Sequence, residues 1–315
     1  MKKKALLISP PKKIKYFRNY FKGFGNNLEI IDENYLIFKK KLPNFTAVVR
    51  IPTSFIKKEI FSITDQLEWV HFASAGIEDI LIPEIVKSDI LLTNGKILQG
   101  PEIADHAIAL CLSLTRQIKS SILKKKNIKR PIELNGKNVL VYGLGGVGSL
   151  IAERIKSFNC NVIGIDNELK PYNSYIDEIY RPEKLSQILE IIDIIFVCSP
   201  LTPQTKFIFS LKEFNKMKKK PYLINVARGK IIDTRSLVKA LRLKKLSGVG
   251  LDVTYPEPLK KNHYLYNHNN VIITPHTAGM SENNRERSHS LIKENLKRYF
   301  KNKSLLNEVN KLKGY

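Results

Sequence analysis

Short apolar runs alternate with longer amphipathic stretches along most of the chain. This alternation predicts βαβ units, in which a mostly parallel sheet carries helices on both faces. A long, largely apolar helix is predicted at 103–117 and a polar one at 281–299. The predicted strands are 5–9, 28–31, 47–49, 68–71 and 90–93 in a first series, and 138–142, 161–165, 194–198, 222–226, 247–251 and 271–274 in a second.

The two series of strands predict two domains, which suits a chain of 315 residues. The boundary is expected near Thr93–Pro101, where the first series ends and the long helix begins. From the residues alone, the last helix could pack on either domain.

Composition places the chain among ordinary globular proteins, with 43% hydrophobic residues. No apolar run approaches the roughly 20 residues of a membrane helix, and the three cysteines suit a reducing cytosol. We therefore expect a cytoplasmic protein without a membrane partner. The 53 Lys and Arg residues against 29 Asp and Glu give a net charge of +24. Because the lysines are dispersed and no aromatic-interleaved basic stripe accompanies them, a nucleic-acid partner is not expected.

A glycine-rich motif follows the predicted strand 138–142. Gly143, Gly145 and Gly148 have the GxGxxG spacing and precede a helical stretch, which is the context of a dinucleotide-binding loop. Asp166 ends the next strand, about 20 residues on, where an acid binds ribose hydroxyls. A carboxylate there repels a 2′-phosphate and favours NAD, whereas Lys170 keeps NADP open.

Three polar side chains follow later strands of the second series. Arg228 offers a planar fork that matches a carboxylate, and His276 can transfer a proton near neutral pH. A neighbouring Glu257 would orient the imidazole and favour its protonated form. Because ligands bind beyond the carboxyl ends of parallel strands, these residues can converge on one cleft. Together they suit the reduction of a 2-keto acid.

From about Trp69 to Gly279 the chain resembles the D-isomer-specific 2-hydroxyacid dehydrogenase family. The resemblance rests on the glycine loop, the three segments with Arg228, Glu257 and His276, and further motifs. Those motifs are Ala73-Ser-Ala-Gly-Ile77, Thr93-Asn-Gly95, Ile103-Ala-Asp-His-Ala107 and Pro200-Leu-Thr-Pro-Gln-Thr205. The segment Asp252-Val-Thr-Tyr-Pro-Glu-Pro-Leu259 is similar to the glyoxylate/hydroxypyruvate reductase branch. Asp105 departs from the glutamate that is usual in the family.

The resemblance implies an α/β fold of two Rossmann-like or flavodoxin-like domains, with mostly parallel sheets and the active site in the cleft between them. It assigns residues 1–98 and 281–315 to a substrate-binding domain and residues 99–280 to a dinucleotide-binding domain. It also implies a homodimer built on the second domain, through the helix 103–117 and the loop after it.

The family's residue roles carry over to the matching positions. His276 would be the acid/base, Glu257 its partner and Arg228 the group that holds the substrate carboxylate. The backbone of Ala75, Gly76 and Ile77 would also bind the substrate. The expected cofactor-binding residues are Gly143, Gly145, Gly146, Val147, Gly148, Asp166, Ser199, Pro200, Thr205, Ala227, Asp252, His276 and Gly279.

The expected activity is the NAD-dependent interconversion of a 2-keto acid and a D-2-hydroxy acid, of the glyoxylate/hydroxypyruvate type. Two alternatives stay open. One is an NAD(H)-sensing, corepressor-like binding protein on the same fold, and the other is a dehydrogenase of phosphorylated hydroxy acids. His71 could line the mouth of the cleft, although a structural role is favoured, and His106 is expected to pack under the first domain. The other histidines lack metal-ligand spacing, so no metal is predicted.

Overall fold

The computed structural model describes residues 2–124, 128, 130–168 and 174–314. The chain divides into two compact units. Unit 1 comprises Met1–Leu98 and Glu282–Tyr315, and unit 2 comprises Gln99–Ser281. The domain boundaries were predicted between residues 98 and 99 and between residues 280 and 281. The units of the structure meet between residues 98 and 99 and between residues 281 and 282. Lys170 lies outside the described residues.

The strands of both units are short. In unit 1 they are β1 (Ala5–Ser9), β2 (Leu28–Asp32), β3 (Ala47–Val49), β4 (Trp69–His71) and β5 (Leu91–Thr93). In unit 2 they are β6 (Asn138–Tyr142), β7 (Asn161–Ile165), β8 (Glu178–Tyr180), β9 (Ile194–Val197), β10 (Tyr222–Asn225), β11 (Gly248–Leu251) and β12 (Val271–Ile273).

The α-helices alternate with these strands. Those of the first segment of unit 1 are α1 (Ile14–Tyr20), α2 (Tyr35–Lys41), α3 (Ile60–Ile63) and α4 (Pro83–Lys87). Those of unit 2 are α5 (Gly100–Thr115), α6 (Ile118–Ile122), α7 (Gly146–Lys156), α8 (Leu185–Ile188), α9 (Leu211–Lys216), α10 (Thr234–Arg242) and α11 (Tyr264–Asn267), and α12 (Asn284–Phe300) returns to unit 1.

Each unit contains one parallel sheet. The strand order is β2-β1-β3-β4-β5 in unit 1 and β12-β11-β10-β9-β6-β7-β8 in unit 2. In both sheets the chain starts near the middle and winds outward in two directions, which is the doubly wound topology. The predicted α/β fold class is therefore confirmed. Strand β8 was not predicted, because its three residues form a partly exposed edge with no apolar run.

Side chains of the unit 1 strands alternate between two cores, as the period of two requires. Leu6 and Ile8 of β1 belong to one apolar cluster, while Ala5 and Leu7 belong to another on the opposite face. The second cluster also contains Ile292, Leu296 and Tyr299 of α12. The C-terminal helix therefore covers one face of the unit 1 sheet.

In unit 2, helix α5 lies close against the sheet. Its buried residues recur at helical spacing, as in Ala104, Ala107, Leu110 and Leu114. A Cβ atom at Gly250 of β11 would lie 3.1 Å from the Cβ of Leu110, so the glycine permits this short distance. The packing places α5 beside the last strands of the sheet, where the candidate site lies.

No helix among the described residues is long and apolar enough to cross a membrane.

Candidate active site

The residues predicted for unit 2 follow the carboxyl ends of its strands. Gly143 follows β6, and Asp166 follows β7. Arg228 comes three residues after β10, Asp252 directly after β11, and His276 three residues after β12. Parallel strands deliver these ends to one edge of the sheet.

Two glycines of the loop after β6 are required by close backbone contacts. Gly143 has a φ of +97°, and a Cβ there would lie 2.6 Å from the nitrogen of Ser199. A Cβ at Gly148 would lie 1.9 Å from the carbonyl oxygen of Gly143. A Cβ at Gly145, by contrast, would meet nothing within 4 Å. The loop is therefore tightly folded on one side and open at Gly145.

The open side of this loop suits a dinucleotide. Helix α7 starts at Gly146, which Val147 follows, and its N-cap is Gly145. No side chain caps its first turn. Its first N–H groups can thus bind a phosphate. The buried hydroxyl of Ser199 has no hydrogen-bond partner within the described part of the chain. These observations fit the cofactor that residues 99–280 were predicted to bind.

Asp166 is held beside the glycine loop by backbone amides. One carboxylate oxygen accepts a hydrogen bond from Leu144 N (2.7 Å), and the other accepts one from Glu168 N (2.9 Å). Each carboxylate oxygen has two lone pairs, so the group can still accept a bond from a hydroxyl. Its negative charge favours ribose hydroxyls over a phosphate.

The loop after β9 is closed by Thr205. The Thr205 hydroxyl donates to the carbonyl oxygen of Pro200 (2.7 Å) and accepts from Thr202 N (2.8 Å). The structure thus gives Thr205 a role in shaping the loop that carries Ser199 and Pro200. Contact between Thr205 and a cofactor stays a prediction.

His276 and Glu257 form a hydrogen-bonded pair. His276 Nδ1 lies 2.6 Å from Glu257 Oε1, and Glu257 Oε2 accepts from Thr254 N (3.1 Å). A carboxylate only accepts, so Nδ1 carries the hydrogen and Nε2 is left to face a substrate. The two side chains are 52% and 41% exposed. The pair is therefore accessible to a substrate. Nδ1 of His276 is occupied by Glu257, and Nε2 is available for proton transfer.

Asp252 fixes the backbone around His276. His276 has a left-handed φ of +55°, which costs about 1–3 kcal/mol and persists only where the surroundings impose it. The Asp252 carbonyl accepts from His276 N (2.9 Å), and its carboxylate accepts from Thr277 N (2.9 Å) and Ala278 N (3.0 Å). Asp252 is only 2% exposed. It therefore holds the turn on both sides of the histidine.

Arg228 lies in a loop that Asn225 shapes. The Asn225 amide accepts from Ala227 N (3.0 Å) and donates to the Arg228 carbonyl (2.9 Å). A Cβ at Gly229 would lie 1.9 Å from the carbonyl oxygen of Thr254. The absence of a side chain at Gly229 thus lets the Arg228 loop contact the segment that carries Glu257.

Two further residues of unit 2, Ala227 and Gly279, were predicted to bind the cofactor. Ala227 is buried in the loop before Arg228. The carbonyl oxygen of Gly279 accepts from Gln99 Nε2 (3.2 Å). Their predicted contact with a cofactor is left untested by these bonds.

One polar residue beside the site was predicted to pack under the first domain, whereas the structure gives it a hydrogen bond within unit 2. His106 of α5 has Nε2 2.9 Å from Thr274 Oγ1, and that hydroxyl is 2.7 Å from Asp252 Oδ1. The sequence motif drew attention to His276 but not to the hydroxyl two residues earlier. The sequence did offer one signal for this hydroxyl, because Thr274 ends a predicted strand directly before Pro275 and His276.

Ala75, Gly76 and Ile77 lie in the loop after β4 of unit 1. Asn94 Nδ2 donates to the Ala75 carbonyl (2.7 Å), and Ser74 Oγ donates to the Gly76 carbonyl (3.0 Å). The N–H groups of these three residues make no hydrogen bond to any described residue. Three successive donors without acceptors are suited to an anion.

His71, at the end of β4, is buried and neutral. Its Nδ1 lies 2.8 Å from Thr93 Oγ1. Burial, with the charge of Arg50 nearby, lowers the pKa of His71 to about 3. The structural role favoured for His71 agrees with this position. Within the described ranges, no group of three or more His, Cys, Asp or Glu side chains could hold a metal ion.

Comparisons with known proteins give the same family as the motifs. Residues 108–278, more than half of the chain, match the model of the D-isomer-specific 2-hydroxyacid dehydrogenase NAD-binding domain. A glyoxylate reductase of Thermofilum pendens is 32% identical over 260 residues, 79% of this chain and 77% of that protein. A glyoxylate/hydroxypyruvate reductase of Arabidopsis thaliana is 29% identical over 284 residues, 88% and 89% of the two chains.

Solved structures share the fold. A D-lactate dehydrogenase of Aquifex aeolicus, complexed with NAD and lactic acid, superposes with a TM-score of 0.75 at 25% identity and covers 95% of this chain and 96% of its own. An NADPH-dependent glyoxylate/hydroxypyruvate reductase of Sinorhizobium meliloti has a TM-score of 0.82 at 22% identity, covering 99% and 100%. The chain therefore belongs to the D-isomer-specific 2-hydroxyacid dehydrogenase family, as an oxidoreductase of CH–OH groups with an NAD-binding domain, in the glyoxylate/hydroxypyruvate reductase-like branch.

Proposed function

We propose that this protein is an NAD(H)-dependent reductase of small 2-keto acids of the glyoxylate and hydroxypyruvate type. The observation that carries the proposal is the 2.6 Å pair of His276 Nδ1 and Glu257 Oε1. This pair shares a strand-end edge with Arg228. The names of the relatives support the same reaction.

The chain's own residues account for the proton and for the substrate's position. Arg228 would hold the carboxylate of the keto acid by two parallel hydrogen bonds. His276 Nε2 would donate its proton to the keto oxygen as that oxygen gains negative charge. Glu257 would stabilise the imidazolium by accepting from Nδ1. The backbone of Ala75, Gly76 and Ile77 in unit 1 is a further proposed substrate-binding segment.

The nicotinamide, when bound, supplies the hydride that reduces C2 of the acid. Gly145, Gly146, Val147 and Gly148 would hold its pyrophosphate, and Asp166 a ribose. Asp252 Oδ2 accepts only from Ala278 N among the described residues, so a lone pair remains for the carboxamide. The proposed cofactor-binding set is completed by Ser199, Pro200, Thr205, Ala227, His276 and Gly279. NADP stays open as a second cofactor.

The test is absorbance at 340 nm with the purified protein. NADH and NADPH would each be offered with glyoxylate, hydroxypyruvate, pyruvate, phenylpyruvate and 3-phosphohydroxypyruvate. We expect NADH oxidation with glyoxylate or hydroxypyruvate. A preference for 3-phosphohydroxypyruvate would favour the phosphorylated-acid dehydrogenase. Protein that binds NADH and reduces no acid would favour the corepressor-like alternative.

The role of His276 is tested by His276→Ala. Because general acid–base catalysis contributes roughly 10²–10⁴-fold, kcat should fall by about that factor while most of the NADH affinity is kept. His263→Ala is the matched control, since the His263 ring accepts from Leu265 N as the N-cap of α11 and has no proposed role in the reaction, so kcat should be kept. Normal turnover by His276→Ala would contradict the assignment.

The cytoplasmic location, the homodimer and the absence of a nucleic-acid partner stay predictions.

A further inference from the structure

We propose that His106 is a positioning residue for this reaction, acting through the Thr274 hydroxyl on Asp252 and the turn that carries His276. The inference rests on the proposed function. Its geometry is a chain of contacts within unit 2. His106 Nε2 is 2.9 Å from Thr274 Oγ1, which is 2.7 Å from Asp252 Oδ1.

The direction of these hydrogen bonds is set by the chemistry of the groups. A carboxylate has no hydrogen to give, so the Thr274 hydroxyl donates to Asp252. A hydroxyl has a single hydrogen, and Thr274 Oγ1 must therefore accept from His106 Nε2–H. His106 Nε2 is 3.6 Å from Asp252 Oδ1, too far for a direct bond of its own. His106 consequently reaches Asp252 through the threonine.

Asp252 transmits this constraint to His276. Its carboxylate accepts from the amides of Thr277 and Ala278, directly after the histidine. Its carbonyl accepts from the amide of His276 itself. A rotation of the Asp252 side chain would release two of these three bonds. The left-handed turn would then lose the contacts that impose it.

Packing alone does not require an imidazole at this position. The residues of α5 in the apolar core of unit 2 are Ala104, Ala107, Leu110, Cys111 and Leu114, and the buried hydroxyl of Thr115 donates to the Cys111 carbonyl within the helix. His106 is partly exposed and meets the polar end of β12. An apolar side chain could fill this position but could not hold the Thr274 hydroxyl.

The test compares His106→Leu with His106→Gln. Leucine fills space without a donor, whereas glutamine keeps an N–H near the place of Nε2 and cannot titrate. The loss of one neutral hydrogen bond predicts a fall in kcat of about 2- to 10-fold for His106→Leu. KM for the keto acid should stay within about twofold, because Arg228 lies in another loop. His106→Gln should recover most of kcat.

Two controls separate positioning from folding. Asp105→Asn, the neighbour on α5, removes a mostly exposed ion pair with Arg154 and should keep kcat and the melting temperature. In a double-mutant cycle, kcat of His106→Leu combined with Thr274→Val should be no lower than kcat of Thr274→Val alone. Both substitutions break the same series of contacts from His106 to Asp252, so their effects should not add.

A second readout does not depend on turnover. Hydrogen–deuterium exchange of a peptide that spans 274–279, measured on the protein without cofactor, should be several-fold faster in His106→Leu. Exchange should be unchanged in His106→Gln and Asp105→Asn.

The outcomes are distinct for the two proposals. An unchanged kcat and exchange rate in His106→Leu, or additive effects with Thr274→Val, would overturn the role of His106 and leave the reaction standing. A wild-type protein that reduces no keto acid would overturn the proposed function. Normal exchange at 274–279 in His106→Leu would then reject the contact chain as well, and accelerated exchange would keep it.

Discussion

In His276 the backbone and the side chain are held by different residues. Its backbone is forced into a left-handed conformation by Asp252, while its ring is aimed by Glu257. Neither constraint uses Nε2. The atom proposed to carry the proton is thus the part of the residue that the fold leaves available.

Arg228→Lys tests the residue proposed to hold the substrate. Lysine keeps the positive charge but loses the planar fork, so KM for the keto acid should rise about 10- to 100-fold. Steady-state kinetics with glyoxylate would measure the change. Arg235→Lys, on the exposed start of α10, is the control and should keep KM. A normal KM in Arg228→Lys would mean that another group holds the carboxylate.

Motif spacing predicted Arg228, Glu257 and His276 because parallel strands bring their ends to one edge, whatever their separation along the chain. The contact of His106 with Thr274 could not be predicted in this way. The two residues lie 168 positions apart, and their contact depends on how α5 packs on the sheet. The hydroxyl of Thr205 likewise could not be assigned to its own loop from the motif.

At the scale of elements, α12 packs on α1 through an aromatic cluster that encloses a histidine. The His289 ring contacts Tyr16, Phe17 and Tyr20, and its Nδ1 is 3.1 Å from the Tyr16 hydroxyl. Burial, and then the charge of Arg50, lowers the pKa of His289 to about 4. The contact therefore holds a neutral imidazole between two helices.

Unit 1 should lose stability in acid for this reason. His289 and His71 have folded pKa values of about 4 and 3, below the ordinary 6.5, so their neutral forms stabilise the fold fully above pH 6.5. As pH falls from 6.5 toward those values, each costs up to about 1.4 kcal/mol per pH unit. Urea unfolding at pH 7.5 and at pH 5.0 would measure the loss in the free energy of unfolding. Hydrogen–deuterium exchange of unit 1 peptides would serve as the probe of unfolding.

His289→Phe should reduce this pH dependence, because phenylalanine fills the cluster without titrating. Tyr16→Phe is the control: it removes the hydrogen bond to His289 but leaves the imidazole, so the loss between the two pH values should stay. Equal pH dependence in His289→Phe and the wild type would show that other groups set the acid stability. Glu286, Arg285 and Lys13 also act on His289.

At the scale of the whole molecule, we propose that two copies associate through unit 2. Ile122 of α6 is 73% exposed, and Ile118 and Leu123 beside it are also exposed. A stretch of large apolar side chains in contact with water favours burial in an interface. The stretch directly follows α5, where the resemblance to the family implies the dimer.

Ile122→Glu should convert a dimer into a monomer, because a carboxylate in an apolar interface is costly to desolvate. Light scattering coupled to size-exclusion chromatography would give the mass. Leu312→Glu is the matched control, since Leu312 is 88% exposed but belongs to unit 1, and it should leave the mass unchanged. A wild-type monomer at micromolar concentration would contradict the dimer.

The division of unit 1 between the two ends of the chain has a consequence for synthesis on the ribosome. Ala5, Leu7 and Trp69 emerge first, yet the cluster that buries them needs Leu296 and Tyr299. All of unit 2 is translated in between, which takes about 10–40 s at roughly 5–20 residues per second. During that time Phe17 and Phe21, in and beside α1, cover only part of this face, and the part that α12 covers in the folded protein is bare. A nascent chain of this protein therefore carries an apolar surface that a chaperone could bind until α12 has been translated.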